Sequence, residues 1–455
     1  MRLKDVGYLY GGLTGKSGDD FHEEDPDKVK PFIPFTNVFK NFKVDVSDVR
    51  YVAMEAGEVQ NRVRQGDVLF LMSSEDYDGI GKPAVISDEV PELYLNSFCR
   101  GLRITKRNIC PEFVNYYFNG HHCREQVRLE GRGFTRVNIK VDRIAGQELK
   151  LPLFLDQSRI VEYLDSRCAA IDRTVALLEQ KRTAYGKLKR ALINETVTRG
   201  LDKNAELDNS EAITKTNHGG RAGRASLPER AVLVGSRVPR DRNDGVFAIA
   251  SSGNDWLEVV SNNGRVRRLK DCVLLRNVKT DDQREPYIAL ENIKSWDASF
   301  IPSEVETGGT NNRCKAGDIL FGKLRPYLAK GYIPENDAIC SSEFLVMTAK
   351  PQFFNRFILY FLLSNSVIDY LAHQVAGVKM PRTNWETVAA LEMPRIAEQR
   401  ALPNFSEQRR IADYLDCKCA AIDAAVENVT RQIELYRKLK RSLIDEVVTG
   451  RRKVA

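Results

Sequence analysis

The sequence lacks the features that would place it in or across a membrane. Across its 455 residues no apolar run reaches the ~20 residues that span a bilayer, and the N-terminus has no signal-peptide core. The nine cysteines are an odd number, scattered and without a CxxC pair. That usage is typical of a reduced cytosolic protein rather than of a disulfide framework. We therefore expect a cytoplasmic chain with no membrane partner.

The chain also lacks a recognisable catalytic motif. Gly11–Ser17 (GGLTGKS) resembles a phosphate-binding loop, but only three residues separate Gly11 from Gly15 where the nucleotide loop needs four. Glu148–Lys150 has the E-x-K form of some nucleases, without a convincing aspartate partner. The adjacent residues His121–Cys123 diverge in direction on a helix, and no second cluster supports a metal site there. The sequence predicts no catalytic residue, no metal and no cofactor in this chain.

Size and charge set only loose bounds. The length is too great for one core and suggests about three units. The 69 Lys and Arg residues exceed the 62 Asp and Glu residues, for a formal net charge of +7. This modest excess permits local basic surfaces and a polyanionic partner without establishing one.

What the chain does contain is a long internal repeat. The stretch Phe154–Arg199 is echoed 251 residues downstream at Phe405–Gly450, and 22 of the 44 positions from Asp156 onward are identical without a gap. A repeat of this length outranks any short motif in deciding the architecture. Neither copy contains proline, and apolar residues recur every seven positions, which predicts two long helices with a coiled-coil seam. The seam residues are Leu164, Ile171, Leu178, Tyr185 and Leu192 in the first copy, and Leu415, Ile422, Val429, Tyr436 and Leu443 in the second.

Two such helices favour packing on each other. At ~1.5 Å per residue a helix of this length is a rod of roughly 66 Å. The alternative is that each helix packs separately on its own domain.

The two helices divide the chain into four parts and a junction. The predicted boundaries are a globular block at 1–153, a helix at 154–199, a weakly patterned Gly- and Arg-rich junction at 200–262, a second globular block at 263–404, and a helix with a basic tail at 405–455. Short alternating apolar segments and one helical patch give the first block α+β character. The chain is therefore predicted to be an α+β protein in the order globular, helix, globular, helix.

The second globular block repeats the first at a coarser level. Gln65–Phe70 (QGDVLF) is matched by Ala316–Phe321 (AGDILF), at the same offset as the helices. The loop Gly131–Asn138 (GRGFTRVN) is matched by Gly377–Asn384 (GVKMPRTN), which aligns the arginine of one loop with the arginine of the other. A shared framework with different loops indicates two similar readers of different targets.

The twice-repeated pattern EQRRIADYLD…AAIDAAV…LKRSLIDEVVTG, each copy following a Leu-Pro strand end, resembles the specificity subunit of type I restriction–modification systems. The resemblance implies two target recognition domains, each reading half of a bipartite double-stranded DNA site. It implies that the helices form an antiparallel coiled coil with pseudo-two-fold symmetry that spaces the domains. The implied partners are two methyltransferase (modification) subunits and an ATP-driven restriction subunit, which carry the S-adenosylmethionine, ATP and Mg²⁺. It implies a DNA-associated protein of a prokaryotic cytoplasm.

Recognition of bases needs side chains that project from loops. Arg prefers guanine and Asn prefers adenine, whereas Lys more often contacts phosphate. The candidates in the first block are Lys16, Lys82, Arg132, Thr135, Arg136 and Asn138. Those in the second are Lys323, Arg325, Tyr327, Lys330, Lys379, Arg382 and Asn384, of which the KLRPYLAK cluster is the best single patch. For each residue the alternative is an ordinary solvated charge, and for the two matched loops it is a structural turn.

Three other functions stay open at this point. The chain has no NPPY or DPPY motif, so an overlooked methyltransferase or nuclease is one alternative. A coiled-coil interaction protein that does not bind DNA is the second. The third is a specificity subunit that directs a fused nuclease–methyltransferase polypeptide.

Overall fold

The computed structural model describes residues 1–21, 29–55, 57–89, 92–201, 267–280, 286–303, 309–374, 380–395 and 402–454. The chain divides into two compact units. The first unit is Met1–Lys181 with Asn428–Ala455, and the second unit is Arg182–Glu427. Nearly all of the predicted junction at 200–262 lies outside the described residues.

The first unit is a mixed α+β structure built on short strands. Its strands are β1 (Gly7–Gly11), β2 (Val29–Ile33), β3 (Arg50–Ala53), β4 (Val68–Leu71), β5 (Ser73–Ser74), β6 (Pro83–Val85), β7 (Tyr94–Leu95), β8 (Cys99–Ile104) and β9 (Val137–Asn138). Its short helices are α1 (Phe35–Lys40), α2 (Pro111–Asn119), α3 (His121–Glu130) and α4 (Val141–Ala145), with 3-10 turns at Leu3–Asp5 and Gly18–Asp20. One antiparallel sheet has the strand order β1–β8–β4–β6, a second has the order β3–β2–β7, and β5 pairs with β9.

Strand β4 shows why this unit folds as it does. All four of its side chains are buried, because the strand has neighbours on both edges and packed layers on both faces. Successive side chains point to opposite faces. Val68 and Phe70 therefore join the core beside α2, whereas Leu69 and Leu71 join a second core beside α1. Phe70 meets Phe118 of α2 edge-on, with ring centroids 5.3 Å apart.

The second unit repeats this plan. Its strands are β10 (Val273–Arg276), β11 (Lys279–Thr280), β12 (Tyr287–Ile288), β13 (Asn311–Cys314), β14 (Ile319–Gly322), β15 (Gly331–Tyr332), β16 (Ala338–Cys340) and β17 (Phe344–Ala349). Its short helices are α6 (Leu269–Cys272), α7 (Asn355–Leu362), α8 (Asn365–Gln374) and α9 (Trp385–Ala389), with a 3-10 turn at Pro326–Leu328. The sheet β10–β17–β14–β15 repeats the order of the first unit's sheet, and β14 is again wholly buried. The other sheet has the order β11–β13–β16–β12.

The two long helices pair with opposite directions in the first unit. They are α5 (Phe154–Arg199) and α10 (Phe405–Val448). Lys440 Nζ donates to both carboxylate oxygens of Asp172 at 2.7 and 2.6 Å. Arg437 Nη2 donates to Glu179 Oε1 at 2.7 Å. The partner's number falls along α10 as the number rises along α5, so the pair is antiparallel.

The second unit shows the same pairing at the repeat-related positions. Lys189 Nζ donates to Asp423 at 2.8 and 2.7 Å, and both residues lie 251 positions from the first unit's pair. The end of α5 also reaches the globular part of the second unit, where the N–H of Ser366 donates to Asn194 Oδ1 at 3.1 Å. These contacts confirm the predicted α+β fold with an antiparallel helix pair.

The predicted seam residues lie on the covered face of this pair. Leu164, Leu415, Val429 and Leu443 are buried, and Ile171, Leu178, Tyr185, Leu192, Ile422 and Tyr436 are half-buried. Five leucines of the two helices that lie outside the seven-residue stripe are more than half exposed: Leu155, Leu177, Leu188, Leu435 and Leu439. The heptad pattern, and not apolar character alone, therefore decides which side chains are covered.

Each long helix starts on a buried glutamine. Gln157 accepts a hydrogen bond from the N–H of Cys110 at 2.9 Å and donates to the carbonyl of Pro152 at 3.0 Å. Gln408, at the repeat-related position, accepts from the N–H of Phe354 and donates to Pro403, both at 2.8 Å. Both side chains are 1% exposed, so these bonds fix the start of each helix onto the block that precedes it.

Candidate nucleic-acid interface

The first unit carries a cleft of about 900 Å³ whose lining includes six aromatic residues. Residues of α1, β5 and the segment that leads into β8 form its lining. Phe98, at the start of that lead-in, is 44% exposed. The guanidinium carbon of Arg136 lies 4.9 Å from the centre of the Phe98 ring, a cation–π contact that holds the arginine over the ring. Arg136, one of the predicted DNA contacts, thus lines this cleft.

The second unit carries a smaller and more polar cleft of about 470 Å³. Three of the predicted DNA-binding residues line it, namely Lys323, Arg382 and Asn384. Arg382 forms a two-bond ion pair with Glu343, at 3.1 Å from Nε and 3.3 Å from Nη2. Hydrogen bonding to this carboxylate raises the pKa of Arg382, so the arginine stays charged.

Backbone hydrogen bonds show which residues at the two clefts correspond. In the first unit the N–H of Met72 donates to the carbonyl of Phe98 at 2.9 Å. In the second the N–H of Lys323 donates to the carbonyl of Glu343 at 2.8 Å. Phe98 and Glu343 therefore occupy the same place in the two copies, and an arginine lies against each of them.

The same bonds correct the sequence alignment of the two loops by two residues. The N–H of Ile139 donates to the carbonyl of Met72 in the first unit, and the N–H of Thr383 donates to the carbonyl of Lys323 in the second, each at 3.0 Å. Ile139 and Thr383 are therefore equivalent. The structural counterpart of Arg382 is therefore Asn138 and not Arg136, as the sequence alignment had it. Because side chains alternate along extended backbone, a shift of two keeps them on the same face. Both arginines consequently still reach the equivalent places.

Among the other candidates, Lys16 is engaged within the protein. Its ammonium group lies 2.6 Å from Glu58, and its side chain is 9% exposed. The hydrogen bond from Lys16 is the largest cause that lowers the pKa of Glu58, to about 2. Such an ion pair supports the loop that carries it.

Lys82 and Lys330 form a repeated pair that points into the protein. Lys82 Nζ donates to the carbonyl of Phe39, and Lys330 Nζ donates to the carbonyl of Leu290 at 2.7 Å. Burial lowers the pKa of Lys82. Each of these lysines directly precedes a strand of the main sheet of its own unit, so the two lysines occupy corresponding positions. Both are half-buried.

The remaining loop residues differ in their surroundings. Arg132 Nη1 donates to two carbonyls of its own turn, each at 2.7 Å. Thr135 and Asn138 are exposed on the loop around β9. Asn384 caps α9, where its side chain accepts a hydrogen bond from the N–H of Thr387 at 2.8 Å.

The KLRPYLAK cluster lies against the matched loop of its own unit. The N–H of Arg325 donates to the carbonyl of Pro381 at 2.8 Å, so two segments chosen separately from the sequence form one surface. Arg325 and Tyr327 are exposed there, and Arg325 has a left-handed backbone with φ of 51°. Lys379 lies outside the described residues.

Sequence reasoning missed the residues on which the two arginines rest. Phe98 and Glu343 sit at the entrance to β8 and β17, where no periodicity marks them. Arg50, Tyr51 and Lys279 also line the clefts. Alignment of the two copies around the strand entrances was the one signal that could have singled out Phe98 and Glu343.

Within the described ranges, no group of three or more His, Cys, Asp or Glu side chains is arranged to hold a metal ion. None of the helices described is both long enough and apolar enough to cross a membrane.

Comparison with known proteins shows which proteins the chain is similar to. No family model matches the chain. The type I restriction enzyme EcoDI specificity subunit of Escherichia coli is 22% identical over 359 residues, which are 78% of this chain and 73% of that protein. The StySPI specificity subunit of Salmonella potsdam is 21% identical over 429 residues, 93% and 82% of the two chains. Over most of its length the chain is therefore similar to type I restriction enzyme specificity subunits.

A solved structure supports the fold of this chain. The structure described as the basis of "complex assembly and conformational transition of the type I R-M system" has a chain with a TM-score of 0.60 to it. That chain is 14% identical, and the match covers 98% of this chain and 96% of the other.

Proposed function

We propose that this chain is a type I specificity subunit and that each of its units reads one half of a bipartite DNA site through its own cleft. The observation that carries the proposal is that two equivalent positions, Phe98 and Glu343, hold an aromatic ring in one unit and a carboxylate in the other. In the first unit Arg136 lies over the Phe98 ring, and in the second Arg382 is paired with Glu343. Because the frame is the same and the lining differs, the two clefts suit different base sequences.

The chemistry of the clefts suits recognition in the major groove. An arginine offers two donors to the two acceptors of guanine, and a glutamate accepts from the amino group of cytosine. The loops that carry Arg136 and Arg382 are held by strand-like backbone bonds, so their side chains are positioned before DNA arrives. Preorganised contacts of this kind cost less to form.

We extend the proposal to the partners that the curated relatives and the fold neighbour suggest. Two methyltransferase subunits and one ATP-dependent restriction subunit assemble with this chain and carry S-adenosylmethionine, ATP and Mg²⁺. The duplicated helix pair supports the number two, since each repeat offers the same surface. The helices set the separation of the two half-sites.

The test is to change each arginine separately and read both half-sites. We expect Arg136→Ala and Arg382→Ala each to relax one half of the recognised sequence by about 1–3 kcal/mol and to leave the other half unchanged. The measurement is selection from a random DNA pool with the methyltransferase partner present, followed by sequencing of the protected DNA.

Arg173→Ala is the matched control, because Arg173 is an exposed arginine of α5 that lines neither cleft. It should leave both half-sites intact. If both cleft variants relax the same half, or if neither changes the selected sequence, the assignment of one half-site to each cleft is wrong.

A further inference from the structure

We propose that the cleft of the first unit binds one unpaired nucleobase drawn out of the DNA duplex beside its half-site. The inference rests on the proposed function and deepens it, because it names the part of the DNA that this cleft holds. The base stacks on the layer formed by the Arg136 guanidinium and the Phe98 ring, 4.9 Å apart. Aromatic rings and arginine planes stack on bases of any sequence.

The size of the cleft favours a ligand that enters it over an edge contact from outside. Its volume of about 900 Å³ falls within the range of roughly 300–1,000 Å³ in which proteins enclose small organic ligands. Side chains that project from the rim of the cleft can read base edges in the major groove, and the space within the cleft remains for a group that enters it. A nucleoside turned out of the double helix is the part of DNA that can enter a cleft of this size.

The aromatic lining is exposed in the way that a stacking site requires. Phe98, Tyr51 and Phe21 line the cleft and are 44%, 42% and 38% exposed. Behind them Phe35 and Phe39 are stacked with centroids 5.9 Å apart. Rings left in water on one concave surface gain free energy when a flat partner covers them, and such rings are typical of binding sites.

The charges around the cleft select a nucleotide among flat ligands. Lys40 and Arg50 line it and are exposed, so they complement the phosphates that flank an extruded base. Glu75 and Asp76 also line it. Carboxylates repel phosphate but accept hydrogen bonds from the amino groups of a base edge. This combination of charges fits a nucleotide whose base lies near the carboxylates and whose flanking phosphates lie near Lys40 and Arg50.

The second unit lacks these properties at the equivalent place. Its cleft is about half the volume, and Glu343 stands where Phe98 stands in the first unit. The ion pair between Glu343 and Arg382 holds the arginine edge-on to a carboxylate instead of flat over a ring. The structure therefore assigns the unpaired base to the first unit alone.

The experiment uses the full chain and duplexes in which a single-nucleotide bulge is moved through the first half-site. A bulge removes the cost of unpairing the base, a few kcal/mol in an intact duplex. We expect one bulge position to bind tenfold or more tighter than the intact duplex, measured by fluorescence anisotropy. The same bulges in the second half-site should give no gain.

Variants of Phe98 connect the gain to this cleft. Phe98→Leu should abolish it by removing the ring, and Phe98→Trp should retain it. Phe154→Leu is the matched control, because Phe154 is also 44% exposed in the first unit and does not line the cleft. Thermal melting verifies that each variant is folded.

Two results overturn the inference while leaving the proposed function intact. One is equal affinity for bulged and intact duplexes, together with sequence-dependent binding of the intact site. The other is a bulge gain that survives in Phe98→Leu. Absence of any DNA binding by the wild-type chain and its methyltransferase partner would instead remove the proposed function, and the inference with it.

Discussion

Asp67 and Asp318 are carboxylates at the same place in the two units, each 2% exposed. Asp67 accepts from the hydroxyl of Tyr10 at 2.5 Å and pairs with Arg103 at 2.6 Å. Asp318 pairs with Arg276 at 2.8 Å. A buried charge of this kind is tolerated only when it is fully paired, and removal of one partner is strongly destabilising. The repeated GD dipeptide therefore marks a buried ion pair inside each unit.

Lys16 tests whether an apparent DNA-binding residue has a structural role. The hydrogen bond from Lys16 holds the pKa of Glu58 at about 2, below its ordinary value of 4.5. A carboxylate with a lowered pKa stabilises the fold above its unfolded value and loses that contribution as the pH falls through its folded value. We expect Lys16→Ala to lower the melting temperature at pH 7, and the difference from wild type to shrink as the pH falls from 4.5 towards 2.

The measurement is thermal unfolding by circular dichroism at pH 7, 5 and 3.5. Lys40→Ala serves as the control, because Lys40 is exposed and should leave the melting temperature nearly unchanged at each pH. A difference between Lys16→Ala and wild type that is the same at every pH would contradict the role of the Glu58 pair.

At the scale of single residues, the sequence shows which positions are charged and which are apolar. It does not show whether a charged side chain lines a cleft or bonds within the protein. Arg136 and Arg382, which the sequence places in the matched loops, both line clefts. Lys82 and Lys330, which the sequence also predicts as DNA-binding loop residues, both donate to main-chain carbonyls instead. The direction of a long side chain depends on backbone segments that are distant in sequence, and no local pattern encodes it.

The joint between the end of α5 and the globular part of the second unit lies beside two residues with left-handed backbone. Lys189 lies between the carboxylates of Asp297 and Asp423 and is 7% exposed. Asp297 sits between Trp296 and Ala298, which have left-handed φ values of 62° and 54°. A left-handed residue other than glycine costs about 1–3 kcal/mol and persists only where its surroundings enforce it. Here the ion pairs of Lys189 enforce it.

The charges of this joint follow from their neighbours. Burial alone would lower the pKa of Lys189, but hydrogen bonds to Asp297 and Asp423 outweigh it and raise the pKa. Asp297 has a second cation, Lys294, and its pKa is lowered despite burial. Burial raises the pKa of Asp423, and the neighbouring Asp297 adds to that rise. Lys189 and Asp297 are therefore the firmly charged pair that ties α5 to the globular part of the second unit.

The covered face of the helix pair, of which the assigned seam is part, is tested by two substitutions on α10. Ile433 lies outside the seam set but is 2% exposed, whereas Leu435, two positions along the same helix, is 59% exposed. We expect Ile433→Asp to destabilise the protein by several kcal/mol, because it places an unpaired carboxylate between packed side chains. Leu435→Asp should change stability by no more than about 0.5 kcal/mol. Thermal and urea unfolding followed by circular dichroism measure both.

Equal effects of the two substitutions would contradict the assigned seam. The pair makes a sharp comparison, because residue size, new charge and helix position are matched and only burial differs.

At the scale of elements, the sequence predicted the long helices well and the globular parts coarsely. Heptads over more than forty residues leave few alternatives, and the first helix begins and ends at Phe154 and Arg199 as predicted. The helical patch after β8 proved to be two helices, α2 and α3, because Gly120 between them has an extended backbone with φ of −62° and ψ of 142°. Strands of two residues such as β9 carry too little pattern to be found.

For the whole molecule, the proposed spacing role of the helices can be tested by lengthening them. In each unit the same register joins α5 to α10, Asp172 with Lys440 and Lys189 with Asp423. A heptad must therefore be added to both helices, after Lys181 and after Thr430, to keep both registers. About 10 Å of added helix should widen the gap between unchanged half-sites by about three base pairs at ~3.4 Å each.

The readout is again selection from a random DNA pool with the methyltransferase partner present. A heptad added to α5 alone is the control, and it should lower the melting temperature because the two registers then conflict. A gap that keeps its length in the doubly extended protein, or half-sites that change identity, would contradict the spacing role.

The two-part make-up of the first unit has a consequence for biosynthesis. The first unit needs Met1–Lys181 and Asn428–Ala455, whereas the second is one continuous stretch, Arg182–Glu427. The core of the first unit includes Leu443 and Val447 near the end of the chain. At ~5–20 residues per second, a ribosome takes about 12 to 50 seconds to make the 246 intervening residues. Synthesis of the first unit therefore starts before that of the second unit and ends after it.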